Sequence, residues 1–456
     1  MAGLSNLDFL LIFLYFIVLL LVGYFTSRKQ KDEDYLIGER KLGALSTMAT
    51  LNASKTGSIV MIIVALTYVW GIAALWYFIG MTIGILIFLP FALRLKDNSK
   101  QRFYTLADYF KYNYGKRPAI FASLITIFLM FGYLVLNLMA GTKIFSFFTG
   151  WPFWLCAITM VLIVMVYILM GGFKAVVRTD IVQYIAIIFI LGALAFTLFN
   201  GSLIPASEWN FFKADTTTIA GFFVVGILMS FAMPDVWRRV YAAKNKKALK
   251  KGMLASVVVY ALVGFLLSLV ALTVKVNFPE IDPDLALIYG FGHLLPKGLL
   301  GLSVVFLFAA IMSSIDTYFF TGSSAIVQDF FNFDKKKTVK SIKKTIFILA
   351  ILGTLISILI QSLIISTYIF VVFVLVLGTV VISTWIRKRI KPLTLTFGFA
   401  VGIISIIFLL VYYMAFAGGV IPEIAVMGIL LTILGLLVGG GVSYFKYRKK
   451  QPILAE

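Results

Sequence analysis

Three ionisable side chains, Lys55, Asp180 and Asp316, fall within or at the edge of hydrophobic stretches long enough to cross a bilayer. Charge at that depth is costly and marks a path for ions or substrate. Lys55 sits in the polar run Asn52-Ala53-Ser54-Lys55-Thr56-Gly57-Ser58, inside a stretch otherwise apolar from Leu42 to Trp70. It lies about eleven residues from either end, roughly 16 Å deep at 1.5 Å per residue, too far in to snorkel to the interface. It therefore needs a carboxylate partner or must give up its charge. Asp316 is the partner expected by depth and Asp180 the second choice; a purely structural ion pair is the competing reading.

Asp316 closes the run Ala310-Ile311-Met312-Ser313-Ser314-Ile315-Asp316-Thr317. At 100° per residue, Ala310, Ser313, Ser314, Asp316 and Thr317 share an arc of roughly 160°. Hard cations such as sodium take oxygen ligands, and hydroxyls together with carbonyls freed by an unwound helix can supply them. Small residues also serve close helix packing, but packing needs no carboxylate. Asp180 admits two readings. With Gln183 three residues later it resembles a capping box at a helix start; at membrane depth it could coordinate an ion or partner Lys55.

The elements that must hold these residues are membrane helices. With 61% hydrophobic and 13% charged residues in 456, the chain reads as an all-α polytopic membrane protein. A bilayer core about 30 Å thick needs roughly 20 apolar residues per helix. About thirteen such runs are expected: 8–27, 44–70, 71–93, 118–146, 152–172, 179–199, 218–237, 252–276, 298–325, 344–363, 365–386, 392–416 and 422–445. The net charge of +21 is distributed by side rather than by groove, which excludes a nucleic-acid partner. All Lys and Arg but five fall on alternate connections; Lys143, Lys213, Lys275 and Lys297 lie on the other side, and Lys55 lies in a span. The positive-inside rule then puts the N-terminus outside and the C-terminus inside, as an odd number of spans requires. The first run opens with Asp8 and carries its positive charges after the apolar stretch, so it is expected to be a retained helix rather than a signal peptide. The one cysteine, Cys156, and the one histidine, His293, suggest neither a cysteine cluster nor catalysis. No HExxH or GxSxG appears at membrane depth, so the chain is not expected to be an enzyme or to carry an organic cofactor.

Short connections make residues 1–456 a single membrane transport domain: an extra N-terminal helix at 8–27, five-helix units at 44–199 and 218–386, and two C-terminal helices at 392–445. Spans two and seven carry interruptions, at Asn52 to Ser58 and at Gly221, Gly226, Ser230, Pro234 and Asp235. Non-helical backbone at membrane depth lines a cavity or is buried in protein. Two interrupted segments five spans apart point to the binding site of a transporter built from repeats. Thr105 to Phe110 suggests a short amphipathic helix. The acidic loop 277–298, with Glu280, Asp282, Asp284 and Pro296, suggests a partly helical outer cap.

These residues resemble the sodium:solute symporter family, whose fold has the five-plus-five inverted repeat of the leucine transporter. The likeness covers most of the chain. It rests on Asp34-Tyr35-Leu36-Ile37-Gly38-Glu39-Arg40, the run Gly171-Gly172 to Gln183, the segment Ala310 to Asp329 and, in the manner of the proline-transporter branch, Met233-Pro234-Asp235-Val236-Trp237-Arg238-Arg239. It implies a sodium site from the carbonyls of Ala53, Thr56 and Ala310 with the hydroxyls of Ser313 and Ser314. It also implies a second ion site or charge network at Asp180, Ser313, Asp316 and Thr317. Solute would sit near Asn52, Tyr133, Asn137 and the middle of span seven, at Gly226 and Ser230.

Two departures matter. Lys55 stands where the proline branch has an aspartate, and Asp316 stands where the family has a small hydroxyl residue. A cation some 4 Å from a sodium ion would repel it by roughly 4 kcal/mol at an effective dielectric of 20. Sodium coupling is therefore expected to be altered unless Asp316 offsets Lys55. Gly226 replaces an aromatic residue used for substrate in that branch, which separates this chain from proline. The expectation is an inner-membrane, multi-pass importer of a small organic solute, an amino acid, carboxylate or sugar-like molecule, working as a monomer with the lipid bilayer as its other partner. The coupling ion is sodium, or a proton or none if Lys55 acts as a tethered cation. The competing class is a membrane solute sensor that does not transport.

Overall fold

The computed structural model describes residues 5–28, 31–98, 103–199, 204–295, 299–360, 362–387, 390–416 and 423–448. Within them the chain is helical, with no β-strand beyond one bridge between Leu42 and Ala243. The first half comprises α1 (Asn6–Ser27), α2 (Asp32–Ile37), α3 (Ala44–Thr56), α4 (Ile59–Trp70), α5 (Trp76–Asn98), α6 (Leu106–Tyr114), α7 (Lys116–Thr149) and α8 (Phe153–Phe199). The second comprises α9 (Thr216–Ala232), α10 (Pro234–Ala242), α11 (Lys246–Asn277), α12 (Ala286–Leu294), α13 (Leu300–Phe330), α14 (Lys335–Leu359), α15 (Leu363–Val371), α16 (Phe373–Ile386), α17 (Pro392–Phe416) and α18 (Glu423–Arg448). Ten helical stretches among the described residues are long and apolar enough to cross a bilayer, eleven when α9 and α10 count as one bent span.

Polar residues set several helix starts. Ser5 and Asp8 form a capping box on α1, and the Asp8 carboxylate also accepts the N–H of Gly301 at 2.7 Å, fixing α1 against the start of α13. Thr105 and Asp108 cap α6 in the same way. The expected amphipathic helix is thus present, with Leu106, Ala107, Tyr109 and Phe110 buried. The acidic loop after α11 forms α12, and its Asp284 receives Lys143 at 3.1 Å and the N–H of Leu363 at 2.8 Å. Pro296 and Lys297 lie outside the described residues.

The breaks differ in part from those expected. α3 ends at Thr56 and α4 begins at Ile59, with Gly57 and Ser58 between them. The second break is narrower than the sequence suggests. α9 runs unbroken through Gly221, Gly226 and Ser230, and the chain bends by 43° only at Met233, with Pro234 opening α10. Gly226 serves packing instead: a Cβ there would strike the backbone of Tyr77, Gly80 and Met81 on α5. Gly80 and Gly84 meet Phe223 and Ile227 of α9 in turn, so the two helices touch backbone to backbone.

α8 spans 47 residues, about 70 Å at 1.5 Å per residue. It is divided at Gly172, whose φ of 54° and ψ of −150° suit only glycine. The helix therefore resumes at Phe173 and not at Thr179, and Asp180 lies two turns inside it. The capping-box reading of Asp180 with Gln183 is corrected: Gln183 donates instead to the Tyr15 hydroxyl at 2.8 Å. At the centre, α13 is buried along nearly its whole length against α1, α3, α7, α8 and α14, whereas α17 and α18 pack mainly on each other at the periphery.

Glu33 on α2 gathers the basic side, with Lys335 at 2.7 Å, the Tyr104 hydroxyl at 2.8 Å and Arg40 at 3.8 Å. Burial alone would raise the Glu33 carboxyl, but the hydrogen bonds from Lys335 and Tyr104 outweigh it and hold the group below its ordinary value of 4.5. A depressed folded-state value stabilises fully above the ordinary carboxylate range and is lost as pH falls through the lowered value. Hydrogen exchange of residues 32–40 is expected to rise on such acidification, and Glu33→Gln to abolish that pH dependence. At the α8 break, a Cβ on Gly172 would collide with the Tyr35 ring. Gly172→Ala is expected to lower the apparent melting temperature by the equivalent of about 1–3 kcal/mol; Gly192→Ala, where a Cβ meets nothing within 4 Å, leaves it unchanged or higher.

Candidate functional site

Where α3 stops short of the membrane's far side, its last turn carries carbonyls with no helical partner. α13 brings hydroxyls to that turn. Ser313 donates to the carbonyls of Ala53 at 3.1 Å and Ala310 at 2.8 Å, and Ser314 donates to the same two at 3.3 and 3.4 Å. The Thr56 hydroxyl closes the turn onto Asn52 and Ala53 at 3.2 and 3.0 Å. Four oxygens from two helices thus converge in a buried site, a donor set chemically suited to a hard cation. Asn137 completes the break, its Oδ1 accepting the Ser58 N–H at 2.6 Å while its amide donates to the Tyr133 carbonyl at 2.7 Å. Gly57 is obligatory beside it, because a Cβ would overlap Asn137 and Ser314.

One turn deeper lies a fully buried arginine. Arg239 Nε donates to Thr50 at 2.9 Å, Nη1 to the Asp235 carboxylate at 3.1 Å and carbonyl at 3.2 Å, and Nη2 to Thr317 at 3.0 Å and Asp180 at 3.4 Å. Its five donors have five acceptors. Thr50 also donates to Asp180, and Ser54 donates to Asp235 at 2.9 Å. The knot joins α3, α8, α10 and α13. Sequence reasoning gave Asp235 only a place in the interruption of span seven and counted Arg239 as a loop charge; the signal was an Asp and an Arg four apart directly after a helix-opening proline.

Asp316 faces α8, accepting from Tyr167 at 3.0 Å and Thr179 at 3.5 Å. The expected Lys55–Asp316 pair is not formed. Lys55 Nζ has no hydrogen-bond partner and no carboxylate within 4 Å among the described residues. The reason is helical geometry: positions 53 and 55 lie about 200° apart, so when Ala53 turns its carbonyl to α13, Lys55 turns away from it. Asp180 and Asp316 each keep one buried carboxylate oxygen without a described partner.

Lys55 instead borders a cavity of about 110 Å³ at the α3–α4 break. Its walls come from α4, α5, α7, α9, α13, α15, α16 and the start of α18, with Tyr77, Tyr133, Tyr318 and Tyr368 among apolar residues such as Ile62, Phe222 and Met229. Of the residues expected near solute, Tyr133 lines this cavity. Asn52, Asn137, Gly226 and Ser230 do not: Asn52 accepts from Ser256 at 2.8 Å, and Ser230 donates to the Met81 carbonyl at 3.3 Å.

Two broken helices, oxygens gathered at one break and a cavity beside it define a solute transporter of the leucine-transporter-like fold. Residues 35–383 match the sodium:solute symporter family, and the chain belongs to it. An osmoregulated proline transporter of Bacillus subtilis strain 168 is 26% identical over 378 residues, covering 75% of this chain and 76% of the relative. The sodium/proline symporter of Staphylococcus aureus strain Newman is 24% identical over 360 residues, 71% of this chain and 68% of the relative. A Na+-coupled sialic acid symporter, solved in a substrate-bound outward-open state, shares the fold with a TM-score of 0.79 at 18% identity, covering 96% of this chain and 98% of that one. A nucleobase-cation-symport-1 family transporter in a closed conformation follows at 0.62 and 14%, covering 92% and 96%. The chain is accordingly a multi-pass plasma-membrane symporter-family protein and not an enzyme.

Removing one partner of a buried charge cluster strands the others, at about 3–5 kcal/mol. Arg239→Gln is expected to lower the apparent melting temperature by that equivalent. Adding Asp180→Asn and Asp235→Asn should recover part of it; no recovery would mean that the knot is not electrostatic.

Proposed function

We propose that the protein is a secondary active transporter that imports a small organic solute by alternating access, working as a monomer and coupled to a cation held among α3, α8 and α13. The observation that carries this reading is the pair of buried carboxylates, Asp180 and Asp316, each with an oxygen lacking a described partner, beside the oxygens of Ala53, Ala310, Ser313 and Ser314. Asp180 and Asp235 share Arg239, which leaves Asp316 without a compensating charge at that place. A bound cation supplies it, with Ala53, Thr56, Ala310, Ser313 and Ser314 as one site and Asp180, Ser313, Asp316 and Thr317 as the second.

Sodium is the first choice because the family takes its name from it. A proton is the second reading, favoured by one residue: the carboxylate at Asp316 can take up a proton, which the small hydroxyl residue expected there cannot. Lys55 turns away from the Ala53 carbonyl, which favours coupling over a tethered cation that abolishes it. Thirteen crossings, outside N-terminus, inside C-terminus and a five-plus-five inverted repeat over 44–199 and 218–386 complete the proposal. The breaks at Gly71, with φ of 64°, and at Gly172 support the count, since each divides an apolar stretch too long for one crossing.

The test is uptake of labelled amino acids, carboxylates and sugars into proteoliposomes under an imposed sodium gradient or an imposed pH gradient. The sodium gradient is expected to drive accumulation of one solute class. Accumulation under the pH gradient alone selects the proton reading. Solute binding without accumulation under either gradient overturns transport in favour of a sensor.

A further inference from the structure

The cavity at the α3–α4 break has a charge pattern that bears on its ligand. Among the described residues Lys55 is its only charged lining residue, and no acidic residue lines it. Lys55 is 6% exposed, and its Nζ has no described partner. An ammonium buried in this way is costly unless a counter-charge meets it. The N-terminal end of α4 borders the same space through Ile59 and the preceding Gly57 and Ser58, so the positive end of a 12-residue helix adds to the field. The tyrosine hydroxyls with described partners point to protein acceptors: Tyr133 donates to Met229 Sδ at 3.1 Å and Tyr318 to the Ser54 carbonyl at 2.7 Å. Apart from the neutral hydroxyl groups of Ser58, Tyr77, Thr367 and Tyr368, the remaining side chains of the wall are apolar.

Resting on the proposed transport of a small organic solute and taking this cavity as its site, we propose that the transported solute is an organic monoanion, a carboxylate on an apolar body without an ammonium group, and that Lys55 is the counter-charge of its carboxylate. A zwitterionic amino acid would meet Lys55 equally well at its carboxylate. Its ammonium, however, would be desolvated with no acidic residue to receive it, so loss of the amine should improve the fit. Such a solute separates this chain from the proline transporters that it resembles in sequence.

The test uses matched ligands that differ only at the amine: cyclopentanecarboxylate against proline, and 4-methylpentanoate against leucine. Binding to the purified full chain in nanodiscs is read by thermal shift and by equilibrium competition. At least one carboxylate is expected to bind tenfold or more tightly than its amino acid, and Lys55→Met to weaken it by about thirtyfold or more. An unchanged circular dichroism spectrum and monodisperse elution show that the variant is folded. Amino acids binding as tightly as their partners, unchanged carboxylate binding in Lys55→Met, or no carboxylate binding at all would each overturn the inference. Counterflow in proteoliposomes separates the two readings. Carboxylate binding without flux refutes transport and leaves the anchor standing; flux of amino acids but not of carboxylates refutes the anchor and leaves transport standing.

Discussion

A guanidinium with no access to water must satisfy five donors at once, and Arg239 does so only where four helices meet. Thr50, Asp180, Asp235 and Thr317 each belong to a different element, so none of α3, α8, α10 and α13 can shift alone without leaving a charge or a donor unpaired. Two of these elements, α3 and α10, adjoin the two breaks. The arginine therefore fixes one half of each interrupted span, α3 and α10, to the other and to α13. The other halves, α4 and α9, are positioned by Asn137 at Ser58 and by the close contact with α5.

The polar machinery is separated by direction. Around the end of α3, carbonyls turn to α13 and meet the hydroxyls of Ser313 and Ser314. Lys55 turns the other way and meets a cavity walled by apolar and aromatic side chains. The helix rotation between two neighbouring positions places an anion-attracting face and a cation-attracting face about two residues apart. The fold is shared with a solved structure at 18% identity, so the backbone tolerates wide change in the side chains set upon it.

Much of this was legible in the sequence, because the cost of burying charge is the same in any membrane fold. Lys55, Asp180 and Asp316 stood out on that ground alone, and the polar run from Asn52 to Ser58 marked the first break. What was hidden depended on rotation and long-range contact. Depth suggested Asp316 for Lys55, yet partnership depends on which way each helix faces, and Asp316 faces Tyr167. Asp180 and Gln183 imitated a capping box because spacing alone cannot tell a helix start from two turns in; the true start was announced by Gly172, whose backbone angles no spacing rule reads. Gly226 looked like a weak point in a helix and proved to be a contact surface. Arg239 sat at the edge of an apolar run, where a loop charge and a buried one look alike.

The glycine contact between α5 and α9 carries a mechanical consequence. Side chains that interdigitate can slide by changing rotamer, but backbones in direct contact at Gly80, Gly84 and Gly226 have nothing soft between them. α5 and α9 therefore behave as one stiff beam. With α9 bound into that beam and α10 clamped by its arginine, the Met233 peptide is the one place between them left to bend, a single fulcrum in an otherwise stiff span.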